Sequence, residues 1–338
     1  MAKYRVGFAG LIHDHVWNEI AHWKRIPDAE LVAAGDRNQP LLLKAEQEGI
    51  QRMYGSWQEM LDTEDLNVLE VALDNAGAVD VVEAGAARGL AVKVEKPMAA
   101  RLDQAERMLA AAQKAGTILM INWPTTWNPA DDFVLTMIKR GDLGQPFYFR
   151  LRCAHNGPKE IGCSRYFWEW LYDAERCGAG ALMDYCCYGA NMCSYLFGLP
   201  KSVVGVRAVL AKEYPVPDDN ATIIMQYDKL FGVSEASWTE PVAAGQPNPF
   251  CLASEGNIGV VGDEVVIQRR GKDAERITPP ALPEHRSCGP RYLLHCLKTG
   301  ALVEGPSDPS VGRNAQEILE AGLLSTNEGR RIELPLPS

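Results

Sequence analysis

Residues 4–15 of the chain read YRVGFAGLIHDH. The apolar run Tyr4–Ala9 predicts a buried strand, and Gly10 predicts a tight turn directly after it. Four further short apolar runs occur in the first 122 residues: Leu31–Gly35, Val68–Leu73, Ala91–Val94 and Ile118–Ile121. Helix-like stretches separate these runs, and one of them, Leu102–Ala115, closes on Gly116, the residue type preferred after a helix end. Strands that alternate with helices predict an α/β fold with a doubly wound parallel sheet, which we assign to a domain over residues 1–122.

The pattern changes after residue 122. A connector at Trp123–Pro129 and a helix that ends near Gly141 lead into four β-rich segments: Pro146–Ala154, Lys201–Ala211, Ala221–Tyr227 and Phe231–Trp238. Consecutive strands without intervening helices cannot be parallel crossovers, so we expect an antiparallel sheet. Two helical segments accompany it, Ala181–Leu196 and roughly Asp308–Asn327. The sequence therefore predicts a second, α+β domain over residues 123–338.

The composition narrows the classes of partner. Of the 338 residues, 46% are hydrophobic, and 34 basic against 44 acidic side chains give a net charge of −10. An acidic chain without a basic stripe repels a phosphate backbone, so we expect no nucleic-acid partner. No apolar run approaches the roughly 18 to 20 residues of a membrane-spanning helix, and the start MAKYRVGFAG lacks the pattern of a secretion signal. We therefore expect neither membrane insertion nor export.

Nine cysteines are present and none forms a C-x-x-C pair. An odd number of cysteines in a large chain without an export signal predicts reduced thiols and a cytoplasmic location. The nearest approach to a metal set is Cys186-Cys187 with Cys193. Adjacent cysteines on one helix point in different directions, whereas a structural zinc site needs four converging ligands. We therefore predict no metal site.

The turn after the first strand carries the first indication of a ligand. Residues 10–15 (GLIHDH) occupy the place of the dinucleotide fingerprint G-x-G-x-x-G but keep only its first glycine. A dinucleotide requires a tight turn, here at Gly10, and backbone N–H groups, such as those of Leu11 and Ile12, near its pyrophosphate at a helix N-terminus. We interpret His13 and His15 as loop or surface histidines rather than catalytic ones.

Asp36 supports the dinucleotide prediction. It ends the second predicted strand 21 positions after His15 (36 − 15 = 21), close to the roughly 20 expected for an acid that binds the ribose hydroxyls of adenosine. A carboxylate there repels the 2′-phosphate of NADP, so the sequence favours NAD, although Arg37 could accommodate that phosphate. The alternative interpretation of Asp36 is a helix cap.

Residues 94–97 (VEKP) give a more specific signal. A parallel strand that ends in E-K-P resembles the Gfo/Idh/MocA oxidoreductase family, and three later motifs agree with it: Gly141–Gly144 (GDLG), Gly178–Asp184 (GAGALMD) and Gly329–Ile332 (GRRI). The resemblance covers nearly the whole chain. It implies an N-terminal Rossmann domain, a C-terminal α/β domain with an open, mostly antiparallel sheet, and nicotinamide-dependent oxidation or reduction of sugars, polyols and related hydroxyl compounds. Family members pair through the open sheet, which implies a homodimer or homotetramer.

The resemblance also implies which residues contact the cofactor. At one position of the second domain, this chain departs from the family's pattern. Glu95 belongs to E-K-P, and Ala72 and Asn75 are what this chain keeps of the family's A-T-P-N-x-x-H after the fourth strand. Where family members commonly carry D-x-x-x-H on the helix of the second domain, this chain has Tyr188 in place of the histidine. That tyrosine is similar to the glucose–fructose oxidoreductase and dimeric dihydrodiol dehydrogenase branches, which use a tyrosine together with the E-K-P lysine.

Three residues are predicted to carry the chemistry. Hydride transfer at a carbinol carbon requires a proton carrier for the oxygen and stabilisation of its charge. Lys96, which E-K-P also places at the cofactor, follows a parallel strand at the sheet edge where ligands bind. Asp184 and Tyr188, four apart, share one helix face. We predict Tyr188 as general acid/base with its pKa lowered by the ammonium, Lys96 as stabiliser of the alkoxide and Asp184 as the orienting group. Two alternatives stay open: Lys96 could carry the proton, and Asp184 and Tyr188 could form a structural pair.

An aromatic run suggests the substrate. Five aromatic residues fall at positions 166, 167, 168, 170 and 172, and their faces, with Trp168 as our candidate, suit a sugar ring. A lid or a subunit interface anchored by these aromatics is equally consistent. His155, Arg165 and Asn191 are further candidate substrate contacts. Because no arginine pair lies near the proposed site to clamp an acid, we expect a neutral sugar, polyol or inositol-like ring, with a uronate held by Arg165 as the alternative.

Two other functions stay open at this point. A glycosidase on the same fold keeps NAD bound and oxidises its substrate transiently, so sugar release without net NADH formation would identify it. A catalytically silent NAD-binding regulatory protein is the second alternative, and the joint presence of Lys96, Asp184 and Tyr188 argues against it. Fold alone does not choose the substrate.

Overall fold

The structure, a computed structural model, describes residues 3–242 and 245–337. A six-stranded parallel sheet occupies the first part of the chain. Its strands are β1 (Tyr4–Ala9), β2 (Ala29–Gly35), β3 (Arg52–Tyr54), β4 (Val68–Val71), β5 (Ala91–Glu95) and β6 (Leu119–Asn122). Its helices are α1 (Val16–Trp23), α2 (Gln39–Gln47), α3 (Trp57–Thr63), α4 (Ala78–Ala87) and α5 (Leu102–Ala115). The order β3-β2-β1-β4-β5-β6 confirms the doubly wound sheet.

Local pattern predicts β1 and α5 with the bounds that the structure has, but it misses β3. This strand has three residues, Arg52–Tyr54, pairs with β2 at the sheet edge, and buries none of its side chains fully. A short and partly exposed edge strand has no apolar run, so the periodicity gives no sign of it.

A nine-stranded sheet and six α-helices follow in the described residues after position 122. Its strands are β7 (Pro146–Ala154), β8 (Ser202–Ala208), β9 (Asn220–Gln226), β10 (Phe231–Ser237), β11 (Phe250–Ala253), β12 (Gly256–Val261), β13 (Glu264–Arg269), β14 (Glu275–Ile277) and β15 (Ile332–Glu333). The helices are α6 (Pro129–Arg140), α7 (Arg165–Leu171), α8 (Ala174–Cys177), α9 (Ala181–Phe197), α10 (Gly289–Thr299) and α11 (Pro309–Glu328), of which α7 and α8 are short. The strand order is β14-β13-β12-β11-β7-β10-β9-β8-β15.

One pair of neighbours in this sheet departs from the antiparallel expectation. Strands β7 and β10 run parallel, while the other neighbouring pairs are antiparallel. The segment between β7 and β10 contains α7, α8 and α9 as well as two strands, so the chain has the length that a parallel connection needs. The predicted mostly antiparallel sheet is confirmed.

The two faces of the second sheet differ. Helices α9 and α11 cover one face, and buried side chains such as Val203 and Ile223 point toward them. On the other face Val204, Val206 and Ile224 are exposed. The alternation along β8 and β9 is the period of two expected for a sheet covered on one side. Helix α11 also packs against α5 and β6, so the second part of the chain completes the core of the first. The division between residues 122 and 123 stays a prediction.

A buried charge cluster lies inside the parallel sheet. The Lys93 ammonium is 2.7 Å from a carboxylate oxygen of Glu70 and 2.9 Å from one of Glu19, and the Trp23 indole donates to Glu70 at 2.6 Å. Burial raises the pKa of Glu70 to about 7. Burial opposes ionisation of Glu19 as well, but Lys93 lowers its pKa to about 2. One ammonium is therefore shared between two buried carboxyl groups whose pKa values are shifted in opposite directions.

No helix within residues 3–242 and 245–337 has both the length and the apolar character needed to cross a membrane.

The buried carboxyl group of Asp131, in the first turn of α6, gives a test of the packing. Burial raises its pKa to about 7, so the folded state favours the protonated form. The stability that this group contributes is full below about pH 4 and is lost as the pH rises through about 7. The parent should therefore lose stability between pH 4 and pH 8, whereas Asp131→Asn should not. The free energy of unfolding of the variant should exceed that of the parent by a difference that grows with pH, up to about 4 kcal/mol.

Urea unfolding of both proteins at several pH values checks this expectation. Asp132→Asn is the matched control, because that carboxylate pairs with Arg286 at 2.6 Å at the surface; it should show no gain at pH 8. A difference between Asp131→Asn and the parent that does not change with pH would contradict the burial of an unpaired carboxyl group.

Candidate active site

The site forms where β5 ends and α9 begins. Lys96 directly follows β5, and α9 carries Asp184 and Tyr188 in its first half. The turn before α9 needs glycine, because a Cβ on Gly180 would lie 2.3 Å from the carbonyl oxygen of Asp218. The Asp218 carboxylate accepts hydrogen bonds from the backbone of Gly180 and of residue 182 at 3.0 and 2.7 Å. This buried acid thus fixes the start of the helix and with it the site residues.

Lys96 and Asp184 form a buried ion pair. The Lys96 Nζ lies 2.6 Å from Asp184 Oδ1 and 3.0 Å from its backbone oxygen, and the indole of Trp238 donates to Asp184 Oδ2 at 3.1 Å. The side chain of Lys96 is 3% exposed. Burial would lower the pKa of Lys96, but the Asp184 carboxylate raises it well above its usual value. Lys96 is therefore a fixed positive charge.

Tyr188 lies beside this pair. Its ring centroid is 4.9 Å from Lys96 Nζ, and Trp123 packs edge-on against the ring at 5.9 Å. Burial raises the pKa of the Tyr188 phenol above its ordinary value, and the Lys96 ammonium only partly opposes the increase. The expected lowering of this pKa is therefore wrong. The loss of hydration on burial destabilises the phenolate more than the single Lys96 ammonium stabilises it. The Tyr188 side chain is a neutral phenol.

A second tyrosine, which the sequence analysis missed, completes the site. The ring centroid of Tyr185 is 5.6 Å from Lys96 Nζ and 6.2 Å from the Tyr188 ring. His155 packs against Tyr185 with ring centroids 4.9 Å apart. The Nδ1 atom of His155 accepts a hydrogen bond from the Gly157 N–H at 2.8 Å, and burial lowers the pKa of the ring. A neutral His155 then carries its hydrogen on Nε2. In the sequence, the signal that could have identified Tyr185 is its position directly after Asp184 in the motif.

The aromatic run divides into two groups. Phe167 and Trp170 are buried against His13, with ring centroids 4.7 and 5.7 Å away. Trp168 and Tyr172 pack on each other at 5.7 Å, and the Tyr172 ring lies 5.5 Å from that of Trp238, the indole that bonds Asp184. The buried pair packs against the turn after β1, whereas the other pair contacts Trp238 and, through it, the ion pair.

Two predicted substrate residues make their contacts elsewhere. The Arg165 side chain is 68% exposed and pairs with Glu169 at 3.6 Å. Asn191 is buried, and its amide donates to the backbone oxygen of Pro306 at 3.0 Å. Within the described residues, neither one hydrogen-bonds or ion-pairs with Lys96, Asp184 or Tyr188. Their roles in substrate binding stay predictions.

Asp36 and Gly10 form the other end of the cleft. Gly10 has a φ of +79°, and a Cβ there would lie 2.3 Å from the Leu73 side chain. The Leu11 N–H donates to one oxygen of Asp36 at 2.7 Å, and the backbone and side-chain N–H groups of Asn38 donate to the other at 2.7 and 2.8 Å. A carboxylate has about four acceptor sites, so Asp36 retains capacity for a ribose hydroxyl. It holds a turn and does not cap a helix.

A pocket of about 500 Å³ adjoins this carboxylate, lined among others by Ile12, Asp36, Arg37, Ser56 and Asp74. The close approach at Gly10, the acid with spare acceptor capacity and a cavity at the carboxyl ends of β1, β2 and β4 together fit the adenosine half of a dinucleotide. Ile12, Asp36 and Arg37 would border that half.

The remaining predicted cofactor residues have structural partners. The backbone oxygen of Ala72 accepts from the His13 N–H at 3.2 Å, and Asn75 donates to the backbone oxygen of Cys177 at 2.8 Å. Glu95 accepts from Asn122 at 2.6 Å and contacts His15 Nδ1 at 3.0 Å. These residues shape the cleft, and direct contacts with the cofactor stay predictions.

His13 lies in the loop before α1, as predicted, but it is buried rather than at the surface. With His15 and Glu95 it brings possible metal-ligand atoms within 4.8 Å of one another. The His13 ring, however, already accepts a hydrogen bond from the His15 N–H at 3.3 Å. The absence of a metal site stays a prediction.

Comparison with known proteins places this geometry in a family. A D-apiose dehydrogenase of Paraburkholderia graminis is 34% identical over 94% of this chain and 86% of that enzyme. A trans-1,2-dihydrobenzene-1,2-diol dehydrogenase of Macaca fuscata fuscata is 27% identical over 79% of each. A solved levoglucosan dehydrogenase, in complex with NADH and levoglucosan, has the same fold, with a TM-score of 0.82 at 19% identity over 99% of this chain and all of that one.

Two family models match the chain. The model of the oxidoreductase family with an NAD-binding Rossmann fold matches residues 5–123, and that of the GFO/IDH/MocA C-terminal domain matches residues 133–267. Together with the 34% identical relative, they show that the chain belongs to the Gfo/Idh/MocA family of NAD-binding oxidoreductases.

Proposed function

We propose that the protein is an NAD-dependent dehydrogenase that transfers a hydride between the nicotinamide and a secondary or anomeric hydroxyl of a sugar or polyol. The observation that carries the proposal is the buried Lys96–Asp184 ion pair beside the neutral phenol of Tyr188. The names of relatives, D-apiose dehydrogenase and D-xylose 1-dehydrogenase among them, support a sugar as substrate. A catalytically silent protein would have no need to bury an ammonium at the sheet edge where ligands bind.

Each residue of the trio has a distinct role in this proposal. Lys96 keeps its charge because Asp184 raises its pKa, so it stabilises negative charge on the reacting oxygen. Tyr188, protonated because it is buried, donates its proton to the reacting oxygen in the direction of reduction and is left as phenolate. In the direction of oxidation the substrate proton passes to that phenolate, the form that the Lys96 ammonium favours. Asp184, with both oxygens engaged by Lys96 and Trp238, holds the ammonium in place. The raised pKa of Lys96 supports Tyr188 rather than Lys96 as proton carrier.

The substrate is proposed to be a neutral ring. Trp168 and Tyr172 are partly exposed aromatic side chains, and Tyr172 packs on Trp238, the buried indole that bonds Asp184. The faces of Trp168 and Tyr172 suit the C–H patches of a sugar. Arg165, the residue that could have bound an acid, is exposed and paired with Glu169. The interpretation of a neutral sugar, glycoside or cyclitol is therefore supported over that of a uronate.

The assembly is proposed to be a homodimer or homotetramer that pairs through the open face of the second sheet. Val204, Val206, Ile224 and Phe231 expose apolar side chains on this face, and apolar surface of this kind marks an interaction site. The proposed location is the cytoplasm, because all nine cysteines are free thiols, and seven of them are buried.

Replacing Asp36 by Ser should narrow or reverse the preference of the protein for NAD(H) over NADP(H), because the carboxylate that repels the 2′-phosphate is removed. Titration of the protein with each cofactor, followed by fluorescence, measures the ratio of dissociation constants. Asn38→Ala is the control, since it removes one hydrogen bond to Asp36 but keeps the charge; it should keep the preference. Tighter NADP(H) binding by the parent protein would overturn the assignment.

Lys96→Ala and Tyr188→Phe should each lower kcat by roughly 10² to 10⁴-fold while leaving NAD affinity nearly unchanged, because both act on the reacting oxygen. Steady-state kinetics at saturating NAD and a separate NAD titration check the two parts. Tyr185→Phe is the matched control, since it removes a hydroxyl from the same helix near the same ammonium, and should cost less. If Tyr188→Phe keeps more than about a third of the parent kcat, Tyr188 is structural and Lys96 or His155 becomes the proton carrier.

Neutral rings should be turned over in preference to acidic ones. We would follow NAD reduction with matched panels of neutral sugars, cyclitols, uronates and sugar phosphates, and NADH oxidation with the corresponding ketones. More than a tenfold preference for uronates or phosphates over every neutral ring would contradict the proposal and direct attention to Arg165. Sugar release from a glycoside without net NADH formation would instead identify a glycosidase.

A further inference from the structure

Arg176 lies in the second part of the chain but lines a pocket of the parallel-sheet part. It lies in α8, within the connection that leads through Gly178–Gly180 to α9. Yet it lines the pocket formed by Asp36, Arg37 and Leu73 of the parallel-sheet part. It is the one residue from beyond position 122 among the described residues that line this pocket. Its side chain therefore extends across the cleft between the two parts of the chain.

A neighbouring acid fixes the orientation of the guanidinium. Arg176 Nε and Nη2 donate to the same oxygen of Asp74 at 2.9 and 2.7 Å, and the other Asp74 oxygen accepts from the Gly77 N–H at 2.7 Å. The backbone also connects here, since the Ala76 N–H donates to the Arg176 oxygen at 3.0 Å. Position and plane of the guanidinium are therefore set before any ligand binds.

One edge of this guanidinium is occupied by Asp74, and the side chain is partly exposed at the pocket. Two of its N–H groups point to Asp74, whose carboxylate compensates the charge, so pairing with a phosphate has little to gain. The side chain is 32% exposed. A planar guanidinium held by its edge stacks well on an aromatic ring, and the cost of ordering it is already met. The ring of the cofactor that binds at this end of the cleft is adenine.

We propose that Arg176 binds the adenine ring of NAD by stacking, with Asp74 as the residue that positions it. The proposal rests on the dinucleotide assignment of the pocket at Asp36. Through Arg176 the adenosine half of the cofactor touches the same chain segment that, a few residues later, begins the helix with Asp184 and Tyr188. Binding of the cofactor then stabilises the contact between the two parts of the chain on which the site depends.

Dissociation constants of NADH for Arg176→Ala and Arg176→Lys test the proposal directly, by energy transfer from protein tryptophan to NADH. Stacking requires the planar group, so both variants should bind NADH about 3- to 30-fold more weakly than the parent. Arg88→Ala removes an exposed arginine that pairs with Asp62 at the surface and does not line this pocket, and it should bind NADH like the parent. Parent-like affinity of Arg176→Lys together with a loss in Arg176→Ala would mean that charge matters and would overturn stacking, as would parent-like affinity of both.

Fragment competition separates a lost contact from a loosened fold. AMP should displace NADH less well from Arg176→Ala than from the parent, whereas nicotinamide mononucleotide should compete equally well with both. Equal weakening of both fragments, with a lowered melting temperature of the protein alone, would make Arg176 a structural link and contradict the proposal. If NADH fails to bind the parent protein, the cofactor assignment itself fails, which is a different result from parent-like variants.

Discussion

The buried ion pair between Lys96 and Asp184 is the interaction on which the site depends. Lys96 follows the fifth strand of the parallel sheet and Asp184 lies in the helix that covers the second sheet, so one 2.6 Å contact connects the two parts of the chain at the point where chemistry is proposed. A charge pair without solvent is stable only if its remaining hydrogen-bonding groups are satisfied. The indole of Trp238 and the backbone oxygen of Asp184 supply those bonds. Removing one partner of such a pair typically costs about 3–5 kcal/mol, because the other charge is left buried and unpaired.

Further contacts hold the same cleft at its two sides. The Asp14 carboxylate accepts from the backbone and hydroxyl of Ser164 at 2.6 Å each, and on the other side Asp74 holds Arg176. Between them the buried rings of Phe167 and Trp170 pack on His13 in the turn after β1. The segment before α9 thus packs along the turn that is expected to bind the dinucleotide. In the proposed function, cofactor binding and the position of the catalytic helix would therefore share one set of contacts, and Arg176 would take part in both.

Much of this arrangement follows from local sequence. The apolar run Tyr4–Ala9, the helix Leu102–Ala115 and the residues of E-K-P define the first sheet and the place of Lys96, and the i, i+4 spacing of Asp184 and Tyr188 puts them on one helix face. What local sequence cannot contain is which distant groups meet. The parallel pairing of β7 with β10, the burial that raises the pKa of Tyr188, the presence of Tyr185 beside Lys96 and the reach of Arg176 all depend on contacts between residues far apart in the chain.

A crystal structure of the protein with NAD⁺ and a neutral cyclic polyol tests the central claim most directly. The account predicts the dinucleotide with its adenosine ribose at Asp36 and the polyol with one ring hydroxyl within hydrogen-bond distance of both Lys96 Nζ and the Tyr188 hydroxyl. A polyol bound away from Lys96, or a cofactor whose ribose hydroxyls do not contact Asp36, would contradict it.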